Sequence, residues 1–79
     1  MTTGKKLSGE KLRDLREKRE LSLFEVSLKC GVNPSTISHI ETDKVKNVRF
    51  TTVRKIAQAF EMSIEAFLKE VEIVAAIQN

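Results

Sequence analysis

The residues with chemistry to offer lie between Asn33 and Arg49. In the stretch NPSTISH, residues 33 to 39, Ser35, Thr36 and Ser38 carry hydroxyls that both donate and accept hydrogen bonds, and His39 is the one extended side chain. Lys44, Lys46 and Arg49 follow with no acid between them. Hydroxyls, an imidazole and clustered cations suit hydrogen bonding to base edges and attraction to phosphate. They do not suit bond-breaking chemistry. The chain has a single His, a single Cys and no Asp/Glu/His cluster at metal-ligand spacing, so no catalysis, metal or cofactor is expected. Each residue also has a plainer reading: Asn33 as a helix cap, Thr36 as a packing residue, His39 as an exposed histidine without a task, and the cations as a solvated loop.

The chain that must position these groups has 79 residues, 41% of them hydrophobic, enough for one domain with a modest core at a size where oligomerisation helps. With four Phe as the only aromatics, one Pro, three Gly and abundant Leu, Ile, Val, Lys, Arg and Glu, an all-α fold is expected. Cys30 has no second cysteine to pair with and reads as a small core residue. No apolar run approaches membrane length and the start, MTTGKK, is polar, so a cytoplasmic protein without a membrane partner is expected. The net charge of +3 is unevenly spread: residues 1–63 carry thirteen basic against eight acidic side chains, residues 64–79 one against three. The basic body, with a sequence pI near 9.2, permits a polyanion partner.

Five helices are expected. Ser8 can cap the first, which presents Leu12 and Leu15 on one face and ends near Glu20. Ser22 and Glu25 have capping-box spacing at the start of SLFEVSLKC, where Leu23, Val26 and Cys30 make one stripe while Phe24 and Leu28 fall off it, so contacts on more than one side are expected. Gly31 can end that helix, and Asn33 followed by Pro34 can begin the next after a very short connection. Two helices joined so tightly must cross steeply, as in a helix-turn-helix. In the second of them Ile37 and Ile40 face inward, leaving Ser35, Ser38, His39 and Thr42 elsewhere. The fourth helix, capped by Thr51 or Thr52, has the cleanest period in Val53, Ile56, Ala57 and Phe60. Phe50 reads as a core anchor, and Lys5 and Lys6 as part of an arm able to add phosphate contacts. Ser63 can cap a last helix running over residues 64–79, with Ile64, Phe67, Leu68, Val71, Val74 and Ala75 as its stripe. Ile73, Ala76 and Ile77 add apolar surface off that stripe. Residues 1–79 are thus expected to form one domain, with Phe67, Val71, Val74, Ala75 and Ile77 in a homodimer contact; packing of this tail on its own bundle is the alternative.

The segment LRDLREKRELSLFEVSLKCGVNPSTISHIE, a basic loop and TTVRKIAQAFEMSIEAFL together resemble the bacterial and phage regulators of the Cro and phage-repressor type, the XRE family, over roughly residues 9–68. The resemblance implies a lambda-repressor-like bundle of about five helices whose second and third form the DNA-reading unit. It implies that Arg16 and Glu41 make an ion pair clipping two helices together, that Ser27 and Gly31 allow the close approach and tight turn, and that Val32, Ile37 and Ile40 are core. Thr42 matches a phosphate-touching position. Leu23 stands where many relatives have a Gln that contacts DNA. Glu20, Asp43 and Glu61 stand where the family has helix-ending glycines, and the basic loop is about one residue longer and lacks the usual Pro.

On that resemblance the expected function is sequence-specific transcriptional regulation, as a repressor or operon controller, by a homodimer on an inverted-repeat site in double-stranded DNA. Asn33, Pro34, Ser35, Thr36, Ser38, His39 and Thr42 would face the major groove, with His39 as the chief base reader and Pro34 limited to apolar contact. Lys44, Lys46 and Arg49 would grip phosphates, Arg49 with access to a narrow minor groove. The alternative is an antitoxin or anti-regulator that uses the same fold to bind a protein partner.

Overall fold

The computed structural model describes residues 4–45 and 47–73, in the order β1 (Gly4–Lys6), α1 (Gly9–Lys18), α2 (Leu23–Cys30), α3 (Pro34–Glu41), β2 (Asn47–Arg49), α4 (Phe50–Ala59) and α5 (Ile64–Val71). The fold is the expected all-α bundle of five helices, with one small two-stranded sheet added to it.

Local chemistry sets most helix starts. Ser8 Oγ accepts from Lys11 N–H, Ser63 Oγ from Ala66 N–H, and Ser22 and Glu25 complete their reciprocal capping box at 3.0 and 2.7 Å. Each bond satisfies a first-turn donor that the helix cannot pair internally. Three helix ends share a second device. The backbone turns left-handed at Glu20, Asp43 and Glu61, with φ of 57°, 63° and 57°. The following amides then reach back: Leu21 to Arg16 O, Lys44 to His39 O and Met62 to Ala57 O. This is the Schellman arrangement, built on acids instead of the usual glycine.

Leu12, Leu15, Val26, Ile37, Ile40, Val53, Ile56 and Ala57 form the buried centre, and the Phe60 and Phe67 rings stack at 5.9 Å. Burying either ring contributes about 1.5–3 kcal/mol relative to leaving it in water.

Several expectations are corrected. α4 begins at Phe50, with Arg49 in the capping position and no side-chain cap bond, so neither Thr51 nor Thr52 caps it. Phe50 is 39% exposed; the buried anchor is Val48, two residues earlier. Phe24 and Leu28 are 63% and 69% exposed, so they lie outside the core that α2 shares with both α3 and α4. The last helix stops at Val71, because Glu72 turns extended (ψ 136°) and pairs with Leu7. Phe67 and Val71, expected at a contact between copies, are wholly buried in the chain's own bundle. Val74, Ala75 and Ile77 lie outside the described residues.

The segment carrying Lys5 and Lys6 is a strand. β1 runs antiparallel to β2 with Gly4, Lys5 and Lys6 opposite Arg49, Val48 and Asn47. Its continuation is held on the other side, where Ser8 N–H donates to Val71 O (2.7 Å) and Ile73 N–H to Lys6 O (2.8 Å).

Candidate nucleic-acid interface

α2 and α3 are joined by Gly31, Val32 and Asn33. Gly31 adopts φ 74°, a left-handed conformation that favours glycine, and its N–H closes α2 on Ser27 O. Asn33 Oδ1 accepts from Ser35 N–H at 2.8 Å and Pro34 occupies the first helical position, where no N–H is missed. Leu23, which cannot replace a Gln contact, packs partly buried against the core instead.

α3 is fixed from behind. Ile37 and Ile40 are buried in the core. Arg16 grips Glu41 bidentately, Nε to Oε2 at 2.7 Å and Nη2 to Oε1 at 3.0 Å, while its Nη1 donates to Leu21 O. The hydrogen bond to Glu41 is the main cause holding the Arg16 pKa above its ordinary value, opposed by burial. With all three guanidinium nitrogens engaged inside the bundle, Arg16 acts on α3 and not on a ligand.

A second clasp, absent from the sequence reading, joins the end of α3 to the start of α1. Asp43 Oδ1 accepts from Gly9 N–H at 3.2 Å. Gly9 must be glycine at this crossing, since a Cβ would press on the carbonyl oxygens of Ile40 and Glu41. The only advance signal was an acid at a helix-ending position that also precedes a cationic loop. Arg19 was missed as well: its Nη1 donates to Phe60 O at 2.8 Å and closes α4. Nothing in the local pattern marks that residue.

With its back held, α3 turns Ser35, Ser38, His39 and Thr42 away from the core, at positions 0, 3, 4 and 7 of one helical face. Ser35 and His39 are exposed; Pro34, Thr36 and Ser38 are half-buried. Thr42 hydroxyl donates to Ser38 O at 2.9 Å, so its proton is committed to its own helix. Beyond it, the amides of Lys44 and Val45 both bond His39 O, which starts the loop close to α3. Lys44 and Arg49 are exposed, and Lys46 lies outside the described residues. The arrangement presents a narrow helical ridge of small hydrogen-bonding groups, with the positive end of the helix dipole at Asn33 and the exposed cations Lys44 and Arg49 beyond the other end. Such a surface can exchange hydrogen bonds with base edges and attract phosphates. Among the described residues, no group of three His, Cys, Asp or Glu is placed to hold a metal, and no helix is long and apolar enough to cross a membrane.

Comparison with known proteins agrees with this geometry. Residues 12–67 match the helix-turn-helix family. The HTH-type transcriptional repressor RghR of Bacillus subtilis (strain 168) is 35% identical over 60 residues, covering 76% of this chain and 44% of the repressor. The chain thus spans less than half the length of that curated relative. Among solved structures, the biofilm master regulator SinR in complex with DNA superposes with TM-score 0.69 at 27% identity, covering 76% of this chain and 95% of the other. The SinR/SinI protein complex matches at the same TM-score and identity, over 78% of this chain and 60% of the other.

Proposed function

The chain belongs to the helix-turn-helix family of transcriptional regulators, a family of DNA-binding proteins and not of enzymes, and from this we propose that it reads a specific operator as a homodimer. One observation carries the proposal: α3 is locked from behind by Ile37, Ile40 and the Arg16–Glu41 pair while Ser35, Ser38 and His39 are turned outward. A helix held this way can enter a major groove with its N-terminal residues toward the bases.

In the proposed complex Asn33 and the first α3 amides meet phosphate, Pro34 and Thr36 make close groove contacts, and Ser35, Ser38 and His39 read base edges. Lys44, Lys46 and Arg49 hold the backbone. Two such helices reading an inverted repeat would lie about 34 Å apart on one face of the duplex. The remaining candidates for the contact between copies are Ile73, 52% exposed, and the apolar Val74, Ala75 and Ile77 that follow it in sequence. Because the groove-facing side chains are short, part of the specificity rests on DNA shape and stiffness.

Selection of bound sequences from random duplexes with the purified protein tests this reading. Recovery of an inverted repeat with affinity falling steeply as salt rises supports it. Binding without any preferred site overturns it.

A second reading, a protein-binding module, is favoured by the exposed pair Phe24 and Leu28, one turn apart on α2, and by the likeness to SinR in its complex with SinI. Under that reading, a protein partner would occupy the apolar pair and DNA affinity would be weak and indifferent to salt.

A further inference from the structure

The β1–β2 ribbon sorts its side chains between two faces, because residues directly opposite in an antiparallel pair point the same way and successive residues alternate. Val48 is buried, so its partner Lys5 belongs to the inward face. There Lys5 Nζ lies 3.7 Å from a Glu72 carboxylate oxygen. Lys6, Asn47 and Arg49 stand on the outward face and all three are exposed. Lys6 and Arg49 are diagonal neighbours, a separation of about 7–8 Å in such a ladder. Among the described residues neither has an ion-pair partner.

The position of Gly4 opposite Arg49 shapes this face. A Cβ at Gly4 would come within 2.6 Å of Asn47 Oδ1, so the Asn47 amide lies across the space that a side chain would fill. The face carries two cations that have no ion-pair partner among the described residues. It is also close to the end of α3. Lys6 and Asp43 line one hollow of about 250 Å³ with Leu7 and Ile73, and Asp43 leads directly into the loop carrying Lys44. The Asp43 carboxylate already accepts from Gly9 N–H.

We infer that the outward ribbon face, through Lys6 with Arg49, is a phosphate-backbone contact on duplex DNA separate from the base-reading ridge of α3. The inference rests on the DNA-binding reading above and adds a residue, Lys6, while excluding its neighbour Lys5. An exposed cation without a partner releases a counterion when it meets a phosphate; a lysine already held by Glu72 gains less.

The test measures affinity of the full chain for a duplex of mixed sequence by fluorescence anisotropy, between about 50 and 200 mM salt. Lys6→Gln should lower the slope of log affinity against log salt by about 0.9, the value for one phosphate contact, and Lys6→Gln with Arg49→Gln by about twice that. Lys5→Gln should leave the slope unchanged. Because Lys5 is half-buried beside Glu72, thermal melts of all variants check that the fold is intact. An unchanged slope for Lys6→Gln overturns the inference and leaves the DNA-binding reading standing, as would be found if an acidic protein used this face. Equal losses for Lys5→Gln and Lys6→Gln also overturn it, since net charge alone would then explain the effect. A wild-type chain without salt-dependent affinity overturns the DNA-binding reading itself.

Discussion

Arg16 and Glu41 join α1 to the end of α3 through two parallel hydrogen bonds, with side chains only 12% and 5% exposed. Removing one partner from such a site strands the other in a place with little water, so Glu41→Gln or Arg16→Met should each cost about 3–5 kcal/mol of stability in urea unfolding. Replacing both with apolar residues should cost much less than the sum. Additive losses in the double variant would mean that the two do not act as a pair. The pH dependence has a definite sign. The Arg16 pKa is raised in the folded chain, so its stabilisation is complete below the unfolded arginine value and is lost only above it. Arginine titrates above about pH 12, so Arg16 contributes no loss of stability on the alkaline side up to about pH 10.

Glu20 and Glu61 sit left-handed at helix ends without a bond that requires an acid, whereas Asp43, in the same conformation, holds Gly9 N–H. Glycine relieves the left-handed strain by about 1 kcal/mol, so Glu20→Gly and Glu61→Gly should each raise stability by roughly that amount. Asp43→Gly gains the same relief but loses an acceptor at the start of α1, worth about 1 kcal/mol, and should come out near neutral. Equal stabilisation by all three would show that the Asp43 bond contributes nothing.

Burial separates two residues of the C-terminal region that the sequence pattern groups together. Val71 has no exposed surface and sits in the core beside Leu7, so Val71→Asp should unfold the chain, seen as lost helical circular dichroism. Val74→Asp is the probe for association: it should leave the helical signal intact and shift sedimentation from dimer to monomer. A Val74→Asp variant that still sediments as a dimer would move the proposed contact to another face.

The parts of this fold that were legible are those fixed by neighbours in sequence. Ser22 with Glu25, Gly31, and Asn33 with Pro34 encode helix ends within a few residues, and the Val53 to Phe60 period encodes a buried face. The resemblance supplied the partner of Arg16. What escaped depends on contacts distant in sequence. GKK has no alternation of apolar and polar residues, and it becomes a strand only because Asn47–Arg49 lies beside it. The apolar run after Val71 suggests continued helix, but the competing Leu7–Glu72 pairing ends it. Phe50 outranks Val48 in size and looks like the anchor, yet a strand passes alternate residues inward and Val48 holds the inward position. Of the candidate site, the ridge on α3 followed from helical period, whereas the division of Lys5 from Lys6 needed the ribbon.

The reading ridge leads to the last prediction. Of the side chains that α3 turns outward, His39 alone combines length, exposure and hydrogen-bonding groups; Ser35 is short and Thr42 has its proton committed to Ser38 O. A hydroxyl that donates and accepts discriminates weakly between bases, so loss of His39 should remove most of the direct preference at one position in each half-site, about 1–3 kcal/mol. In selections from random duplexes, His39→Ala should flatten that position and leave the others. Arg49→Ala should instead weaken all sites alike and reduce the salt dependence. If His39→Ala preserves the preference at every position, base reading does not pass through the imidazole, and the short side chains of α3 with the shape of the DNA must supply it.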